Sequence, residues 1–167
     1  MPVPGADLVR DEGIRHGTTV GGLAGLKPSF RTDGTITAGN ASPLSDVASA
    51  VLLASRRWSR RCSASHPPGP PTALARAGVF WSELGAVELN EAFAVLSLAC
   101  VDAWGVDPGI VNARGGAIAI GHLLGASGGR LLGTLAGRLR ESGDRWCVAA
   151  ICIGVGQALV VVLENVS

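Results

Sequence analysis

The sequence predicts an α/β fold built on buried strands, and three observations lead to that prediction. Short apolar stretches rich in β-branched residues alternate with stretches whose apolar residues recur at helical spacing. Glycine makes up 24 of the 167 residues without the collagen period, which indicates tight turns and close backbone approach. Only 16% of the residues are charged and 47% are hydrophobic, which leaves little polar material to cover a surface.

The composition excludes two classes of protein. A disordered chain combines low hydrophobicity with high net charge, whereas here the mean hydropathy is +0.36 and the net charge is +1. A nucleic-acid-binding protein carries surplus positive charge, but 14 Lys and Arg stand against 13 Asp and Glu. The length suits one domain or slightly more. We therefore expect a folded protein with no nucleic acid as its partner.

The first third of the chain predicts short elements joined by turns. An amphipathic stretch covers Thr19–Leu26, and the turn dipeptide Asp33-Gly34 precedes a short strand at Thr35–Ala38. A helix is expected to open at Ser42 or Ser45, because apolar residues recur at helical spacing from Leu44 onwards.

Residues 56–71 have a different character and are predicted to form a linker. Four arginines lie between Arg56 and Arg61, and five prolines and glycines follow in Pro67–Pro71. Proline interrupts helices and central strands, so neither is expected here. A solvated linker is favoured over a basic patch for nucleic acid or lipid.

The remaining residues predict alternating helices and strands. Gly78 ends the first of these helices, Gly105 the second, and the last ends near Gly143. Over the whole chain, the expected order of strand, helix, strand, helix, strand, strand is that of an α/β protein. The expected helices are Thr72–Ala77, Glu91–Trp104 and Gly125–Arg140, and the expected strands are Val87–Leu89, Cys147–Ile153 and Ala158–Leu163.

No targeting or membrane segment is expected. The first residues lack the basic and apolar regions of a signal peptide. The longest uncharged run, Trp146–Leu163, is nearly long enough for a membrane-spanning helix. Gly154, Gly156 and Gln157 interrupt this run in its middle, so two buried strands joined by a turn fit it better than one helix. The four cysteines have no CxxC spacing, which is typical of a reduced, cytoplasmic protein.

Three reactive side chains stand where a strand meets a turn or a helix, the position at which open α/β sheets bind ligands. Asn90 follows the strand Val87–Leu89, and an N-cap of the next helix is the simpler interpretation for it. His122 is flanked by Gly121 and Gly125, so backbone can approach a substrate closely. A neutral imidazole there can accept a thiol proton or donate to an oxyanion, although a histidine satisfied within a core turn is the alternative.

Cys152 is the third candidate, and its chemistry stays open. A cysteine ending a buried strand is usually a small hydrophobic residue. Before the Gly154-Val155-Gly156 turn, however, it can be partly exposed and its thiolate stabilised by backbone N–H groups. Neither a nucleotide nor a metal is supported, because no complete glycine fingerprint occurs and the pair Cys62 and His66 lacks a second pair of ligands.

Taken together, several ordered blocks resemble the thiolase family of acetyl-CoA acetyltransferases and 3-ketoacyl-CoA thiolases, in its C-terminal half. These blocks are NEAF at residues 90–93, GGAIAIGHLLGASG at 115–128 and ICIGVGQA from Ile151. DEGIRHGTTVGGLAGLKPSF and DGTITAGNAS, between Asp11 and Ser42, also look like thiolase sequence. The implied fold is the thiolase C-terminal catalytic domain, a mixed sheet covered by helices and incomplete because the N-terminal half is lacking.

The resemblance implies catalytic roles for four residues. His122 would be the base that activates a nucleophilic thiol and one donor of an oxyanion hole. Asn90 would hold the water that is the other donor. Cys152 would remove or return the proton on the substrate α-carbon and on the CoA thiol. The N–H of Gly154 would serve a second oxyanion hole. Stabilised oxyanions and a carbanion-forming base are what thioester condensation requires.

The resemblance also implies a division of the chain and a substrate. Residues 1–55 would end the N-terminal and loop region, residues 56–71 would be a linker replacing family structure, and residues 72–167 would be the truncated catalytic domain. Ser42 would lie beside the pantetheine arm of CoA, and Arg15 in the CoA-binding part of the loop domain. CoA would be a substrate, and no cofactor or metal is implied.

The departures from the family pattern shape the expected function. No stretch resembles the block of the acylated cysteine, since Cys62 lies in the linker and Cys100 inside a helix. Leu123 stands where the family has proline, Val155 and Ala158 where it has glycine, and Arg114 where it has asparagine. We therefore expect a chain that is inactive alone and acts as a homo-oligomer or with a complementary N-terminal chain. The alternative is a non-catalytic partner subunit or CoA binder.

Overall fold

A computed structural model describes residues 10–45, 47–51, 63–65 and 69–166. Within these residues there are five helices and four strands. The helices are α1 Val20–Ala24, α2 Gly69–Ala77, α3 Ala94–Trp104, α4 Ala117–Ile120 and α5 Ser127–Ser142. The strands are β1 Ser63–Ser65, β2 Leu84–Leu89, β3 Trp146–Gly154 and β4 Gln157–Glu164.

The four strands form one mixed sheet in the order β1-β4-β3-β2. Strand β2 runs parallel to β3, with Leu89 opposite Ala150, whereas β4 is antiparallel to both β3 and β1. Because β2 and β3 are parallel neighbours, their carboxyl ends lie at the same edge of the sheet. This edge is the ligand-binding position of an open α/β sheet.

Helices cover both faces of the sheet. Alternate residues of β3 point to opposite faces, so Val148 and Ala150 join one apolar cluster while Cys147 and Ala149 join another. The first cluster includes α2 and is flanked by α3, and the second is formed with α5. The leucines of α5 recur every four residues and are buried against the sheet, at Leu131, Leu135 and Leu139. The result is a three-layered α/β/α arrangement.

The second half of the chain contains the three helices and the three strands that were expected there. Strands β3 and β4 extend the expected pair by one or two residues, and α5 ends one residue before Gly143 as expected. The apolar run from Trp146 to Leu163 therefore forms a hairpin of two strands. No helix in the described part of the chain is long and apolar enough to cross a membrane.

Two predictions for the first third of the chain were wrong. Thr35–Ala38 forms no strand, and only Thr37 makes a single bridge, to Pro28. The helix expected from Leu44 is not formed in residues 44–45 and 47–51. Leu44 instead pairs its backbone with His122, and the Ser49 hydroxyl donates to Ala126 O at 2.7 Å. These contacts to another segment replace the local hydrogen bonds of a helix.

The predicted linker is partly ordered. Ser63–Ser65 forms the edge strand β1, and α2 begins at Gly69 rather than at Thr72. Pro70 and Pro71 fit the first turn of a helix, where no backbone N–H is needed. The linker prediction was therefore wrong for residues 63–65 and 69–71, and its other residues, including Arg56–Arg61, Cys62 and His66, lie outside the described residues.

Candidate active site

Asn90 and Cys152 lie at the same edge of the sheet. Asn90 directly follows β2, and its backbone N–H donates to the carbonyl of Ala150 on β3 at 2.9 Å. Cys152 lies two residues further along β3, opposite Ala158 of β4. The parallel pairing of β2 with β3 therefore brings these two candidates to one edge of the sheet.

The N-cap interpretation of Asn90 was wrong. Helix α3 begins at Ala94 with Phe93 as its N-cap, because the backbone of Phe93 is held in a bridge to Ala41. The Asn90 side chain is fully buried, and neither Oδ1 nor Nδ2 has a hydrogen-bond partner within the part of the chain that the structure describes. A buried amide of this kind is costly unless a ligand or water binds it.

His122 is oriented by its own local segment. Its backbone N–H donates to Pro43 O at 2.9 Å, and its ring Nδ1 lies 2.8 Å from the hydroxyl oxygen of Ser127, which is fully buried. Within the described residues the other ring nitrogen, Nε2, makes no hydrogen bond. Within the described residues, the imidazole is therefore held through Nδ1 alone.

The environment keeps the His122 imidazole neutral. Burial lowers the pKa of His122, and the positive charge of Arg130, on the first turn of α5, lowers it further. A neutral imidazole has a lone pair available to accept a proton. The half-buried position beside a cleft of about 590 Å³ gives a substrate access to it.

Cys152 is half-buried, whereas Cys147, on the same strand, is fully buried. Burial raises the pKa of Cys147, in the middle of β3, to about 12. Cys100 on α3 also has a raised pKa, first because of burial and then because of the nearby Cys152. Cys152 thus lies close to α3 on the sheet face that α3 covers.

The turn after Cys152 requires left-handed backbone at three successive residues. Gly154 has φ +89°, Val155 +43° and Gly156 +73°. Glycine adopts these values without strain, but a β-branched valine does not. Gly154 itself is exposed and pairs with Gln157 across the turn.

Ser42 lies in a segment that joins the two sides of the site. Ala41 pairs with Phe93, Leu44 pairs with His122, and both the N–H and the hydroxyl of Ser42 donate to Ala92 O, at 3.2 and 3.3 Å. The segment therefore bridges the NEAF loop and the histidine turn.

Arg15 is not brought to the histidine cleft. It is exposed and lines a separate cleft of about 640 Å³ between residues 13–39 and the glycine-rich block, with Glu91 on the opposite wall. The structure thus joins Asn90, Cys152, Ser42 and His122 through shared elements and places Arg15 apart from them.

Sequence reasoning missed five residues that support the site, namely Ser127, Glu88, Arg130, Arg138 and Asn112. Ser127 holds the His122 ring, and Glu88, which is fully buried, lies 3.9 Å from Arg130 and 3.3 Å from Arg138. Burial raises the pKa of Glu88, and the two arginines offset this effect only in part. A charged residue inside an otherwise apolar strand was the available signal for Glu88. Asn112, whose side chain hydrogen-bonds both backbone polar groups of Leu89, carried no comparable signal in the sequence.

Comparison with known families decides the relationship. Residues 63–165 match the family described as thiolase, C-terminal domain, and residues 4–57 match thiolase, N-terminal domain. The chain belongs to the thiolase family. It is 41% identical to a probable acetyl-CoA acetyltransferase of Mycolicibacterium smegmatis, over 95% of this chain and 46% of that protein. It is 40% identical to human peroxisomal 3-ketoacyl-CoA thiolase, over 94% of this chain and 42% of the relative.

The fold agrees with the thiolase relationship. The crystal structure of human mitochondrial 3-ketoacyl-CoA thiolase in complex with CoA superposes with a TM-score of 0.80 and 32% identity, over 93% of this chain and 45% of that one. The predicted fold class, a thiolase-like mixed sheet covered by helices, is confirmed. The chain spans about half the length of the thiolases it matches.

Proposed function

We propose that this chain supplies the acid–base and oxyanion groups of a thiolase-type acyltransferase, which condenses two acyl-CoA molecules or cleaves a 3-ketoacyl-CoA with CoA. One observation carries the proposal. Among the described residues, Nε2 of the neutral His122 imidazole and the buried Asn90 amide have no hydrogen-bond partner, and the segment 41–44 bridges the loop after Asn90 and the His122 backbone. Membership of the thiolase family supports the same reaction class.

Ser127 suits His122 to two successive roles. A serine hydroxyl both donates and accepts, so it stabilises either tautomer of the ring. With the proton on Nδ1, Nε2 accepts the proton of a nucleophilic thiol, and the resulting thiolate attacks the thioester carbon. The C–S bond to CoA then breaks, and CoA leaves as a thiol that takes its proton from Cys152, which becomes a thiolate. With the proton on Nε2, the ring donates to the oxyanion of the substrate, together with a water held by Asn90.

Cys152 completes the chemistry in this proposal. Its thiolate accepts a proton from the α-carbon of the second acyl-CoA, and the carbanion attacks the acyl-enzyme to form the new carbon–carbon bond. The enzyme thiolate departs as the 3-ketoacyl-CoA forms, and the N–H of Gly154 stabilises the second oxyanion. Ser42 would contact the pantetheine arm, and Arg15 would bind CoA from the neighbouring cleft.

The acylated thiol would come from a complementary thiolase domain. Cys147 is buried with a pKa of about 12, and Cys100 lies inside α3 with a raised pKa, so neither suits a nucleophile. By this proposal the chain is inactive by itself, and its partner is a second α/β domain of the same family.

Helix α3 supports the existence of such a partner. A helix that is apolar on all sides is normally buried on all sides. Only Ser97 and Asp102 are polar among the 11 residues of α3, yet Val95 is 62% exposed and Leu98 71% exposed. The outer side of α3, which carries Val95 and Leu98, is the surface we propose for the complementary domain.

Reconstitution tests the function. The chain is mixed with the N-terminal half of the Mycolicibacterium smegmatis relative, and thiolysis of acetoacetyl-CoA is followed by the loss of its enolate absorbance. We expect activity from the mixture and none from either part. His122→Ala should lower it at least about 100-fold because the base is lost. His16→Ala, which changes an exposed histidine, is the matched control. A mixture without association and without activity contradicts the proposal.

A second candidate, a CoA-binding subunit without catalysis, is favoured by the separate cleft at Arg15. Calorimetric titration of the chain alone with CoA distinguishes the two. Binding that Arg15→Gln removes, in a chain whose mixture with the N-terminal half stays inactive, would favour the second candidate.

A further inference from the structure

The side chain of Asn112 holds the end of β2 with the pair of hydrogen bonds that the backbone of a neighbouring strand would make. Its side-chain Oδ1 accepts from Leu89 N–H at 2.8 Å, and its Nδ2 donates to Leu89 O at 2.7 Å. Its own backbone N–H donates to Val87 O at 2.9 Å. Asn112 has φ +45°, a left-handed conformation that asparagine tolerates better than most residues. The residue just before Asn90 is therefore held at both of its backbone polar groups by one side chain.

Glu91 links this anchor to the segment that leads to His122. Its Oε1 accepts from Asn112 Nδ2 at 2.7 Å, and its Oε2 accepts from the backbone N–H of Ile118 in α4 at 3.1 Å. The carboxylate lies so close to Gly116 that a Cβ at that position would overlap it. Both oxygens thus accept from a donor, and a small residue makes room for them.

The network spans the distance between two proposed catalytic groups. Asn90 lies between Leu89 and Glu91 in the chain, and His122 follows Ile118 by four residues. Among the described residues, the Glu91 carboxylate makes the side-chain hydrogen bond that connects residues 89–91 to α4. Moving the carboxylate would therefore change the position of the buried amide relative to the imidazole.

We propose that Glu91, held by Asn112, is a positioning residue that sets the place of the Asn90 amide relative to the His122 ring. Its effect on catalysis rests on the proposed function, whereas its effect on geometry does not. Glutamine is the sharpest probe of the carboxylate, because both partners of Glu91 are donors and a glutamine offers only one acceptor oxygen. One of the two contacts must then break with almost no change in shape.

The matched control is Glu83→Gln. The Glu83 carboxylate also accepts from a backbone N–H, that of Phe80 at 2.7 Å, but it is exposed and lies at the amino end of β2. The full 167-residue chain is labelled for NMR. In Glu91→Gln we expect shifted signals for the Asn90 side-chain amide and the His122 ring, and hydrogen exchange at Ile118 about tenfold faster. In Glu83→Gln these signals should remain in place.

The reconstituted enzyme gives the catalytic readout. We expect Glu91→Gln to lower kcat about 10- to 100-fold, because misplacement of the Asn90 amide disturbs the reacting geometry. If the wild-type mixture is inactive, the proposed function fails, and the NMR signals alone decide the positioning role. Unmoved Asn90 and His122 signals overturn it, and so does an equal movement in Glu83→Gln.

A second variant covers the case in which Glu91→Gln does not fold. Gly116 has an extended backbone that alanine also adopts, so Gly116→Ala does not strain the chain. The added Cβ overlaps the Glu91 carboxylate and displaces it without removing it. The same two signals should move in this variant. If they do not, the proposal is overturned.

Discussion

His122 and Arg130 illustrate how single residues set the chemistry of this site. The ring is held at Nδ1 by Ser127, one turn before Arg130 on the same helix. Residues three apart on a helix lie on the same side, so the serine that orients the ring and the arginine that keeps it neutral come from one helical turn. The sequence identified the histidine, but it did not identify either supporting residue.

Replacing Arg130 should raise the pKa of His122. Arg130→Gln removes a nearby positive charge that opposes protonation of the ring, while burial continues to lower the pKa. A titration of the His122 ring protons by NMR measures the shift. Arg140→Gln, which changes an exposed arginine in the last turn of α5, should leave the His122 pKa unchanged.

The same pKa determines the sign of a pH effect on stability. The pKa of His122 is below its ordinary value of 6.5, so the unfolded chain binds the proton more readily. The contribution of His122 to the free energy of unfolding is therefore complete above about pH 6.5 and is lost as the pH falls below it. A smaller loss in Arg130→Gln than in the wild type is expected, and an equal or larger loss would contradict the assignment.

Val155 is a second residue whose effect can be measured. It is 94% exposed and has φ +43°, so its side chain gains no burial in return for a left-handed backbone. Val155→Gly should raise the free energy of unfolding by about 1 kcal/mol. Val166→Gly, at an exposed valine without positive φ, should not stabilise the chain. Denaturant unfolding compares the two variants, and a destabilised Val155→Gly would contradict the strain argument.

At the scale of elements, Glu88 ties strand β2 to helix α5. Its carboxylate is fully buried between Arg130 and Arg138, and Arg138 also donates to Ile110 O at 3.1 Å. The helix is thus fixed to the sheet by charge in addition to its buried leucines. This charged contact lies two residues before Asn90, so it also fixes the end of the strand that carries the site.

Removing the charge of Glu88 should destabilise the fold strongly. Glu88→Gln leaves two largely buried guanidinium groups without their anion, which costs about 3 kcal/mol. Glu164→Gln also breaks an arginine pair, with Arg145 at 2.8 Å, but that arginine is 70% exposed and the cost should stay below about 1 kcal/mol. Urea denaturation of both variants is the measurement. Equal losses of unfolding free energy in the two variants would show that the buried contacts of Glu88 stabilise the fold no more than the exposed pair of Glu164.

Helices and strands followed the sequence where the periodic signal was strong. Strand β3 and helix α5 lie close to the expected bounds, because β-branched and leucine periodicity coincide with burial. Helix α3 begins three residues later than expected, since Glu91 and Phe93 make contacts with other segments instead of the first helical turn. The boundary was therefore set by the site and not by helix propensity.

At the scale of the whole molecule, the low content of charged residues is reflected in apolar side chains that stay exposed on one helix. Apolar side chains remain exposed on the outer side of α3, with Val95 and Leu98 most prominent. The sheet itself is covered on both faces by α2, α3 and α5. The surface that a partner would cover is thus a helix and not the sheet.

Charging the outer side of α3 should separate folding from association. Leu98→Lys changes a residue that is 71% exposed, so the free energy of unfolding should stay within about 0.5 kcal/mol of the wild type. Association with the N-terminal half should weaken at least about tenfold, as measured by calorimetry. Phe80→Lys, at a residue 74% exposed near the amino end of β2, is the control that should associate normally. Unchanged association of Leu98→Lys would contradict the proposed surface.

The sequence by itself determined the family and the α/β class, and it placed Asn90 and Cys152 at or near strand ends, because motif blocks and periodicity are local properties of the chain. The expected strand before His122 was wrong, since this residue follows helix α4. The sequence did not determine which contacts those residues make. The backbone bridge from Leu44 to His122, the Ser49 contact to Ala126 and the Glu91–Asn112 network join segments far apart in sequence, whereas the Ser127 contact to His122 spans only five residues. Such contacts depend on the pairing of β2 with β3 and on the packing of α5, which bring distant side chains together only in the folded chain.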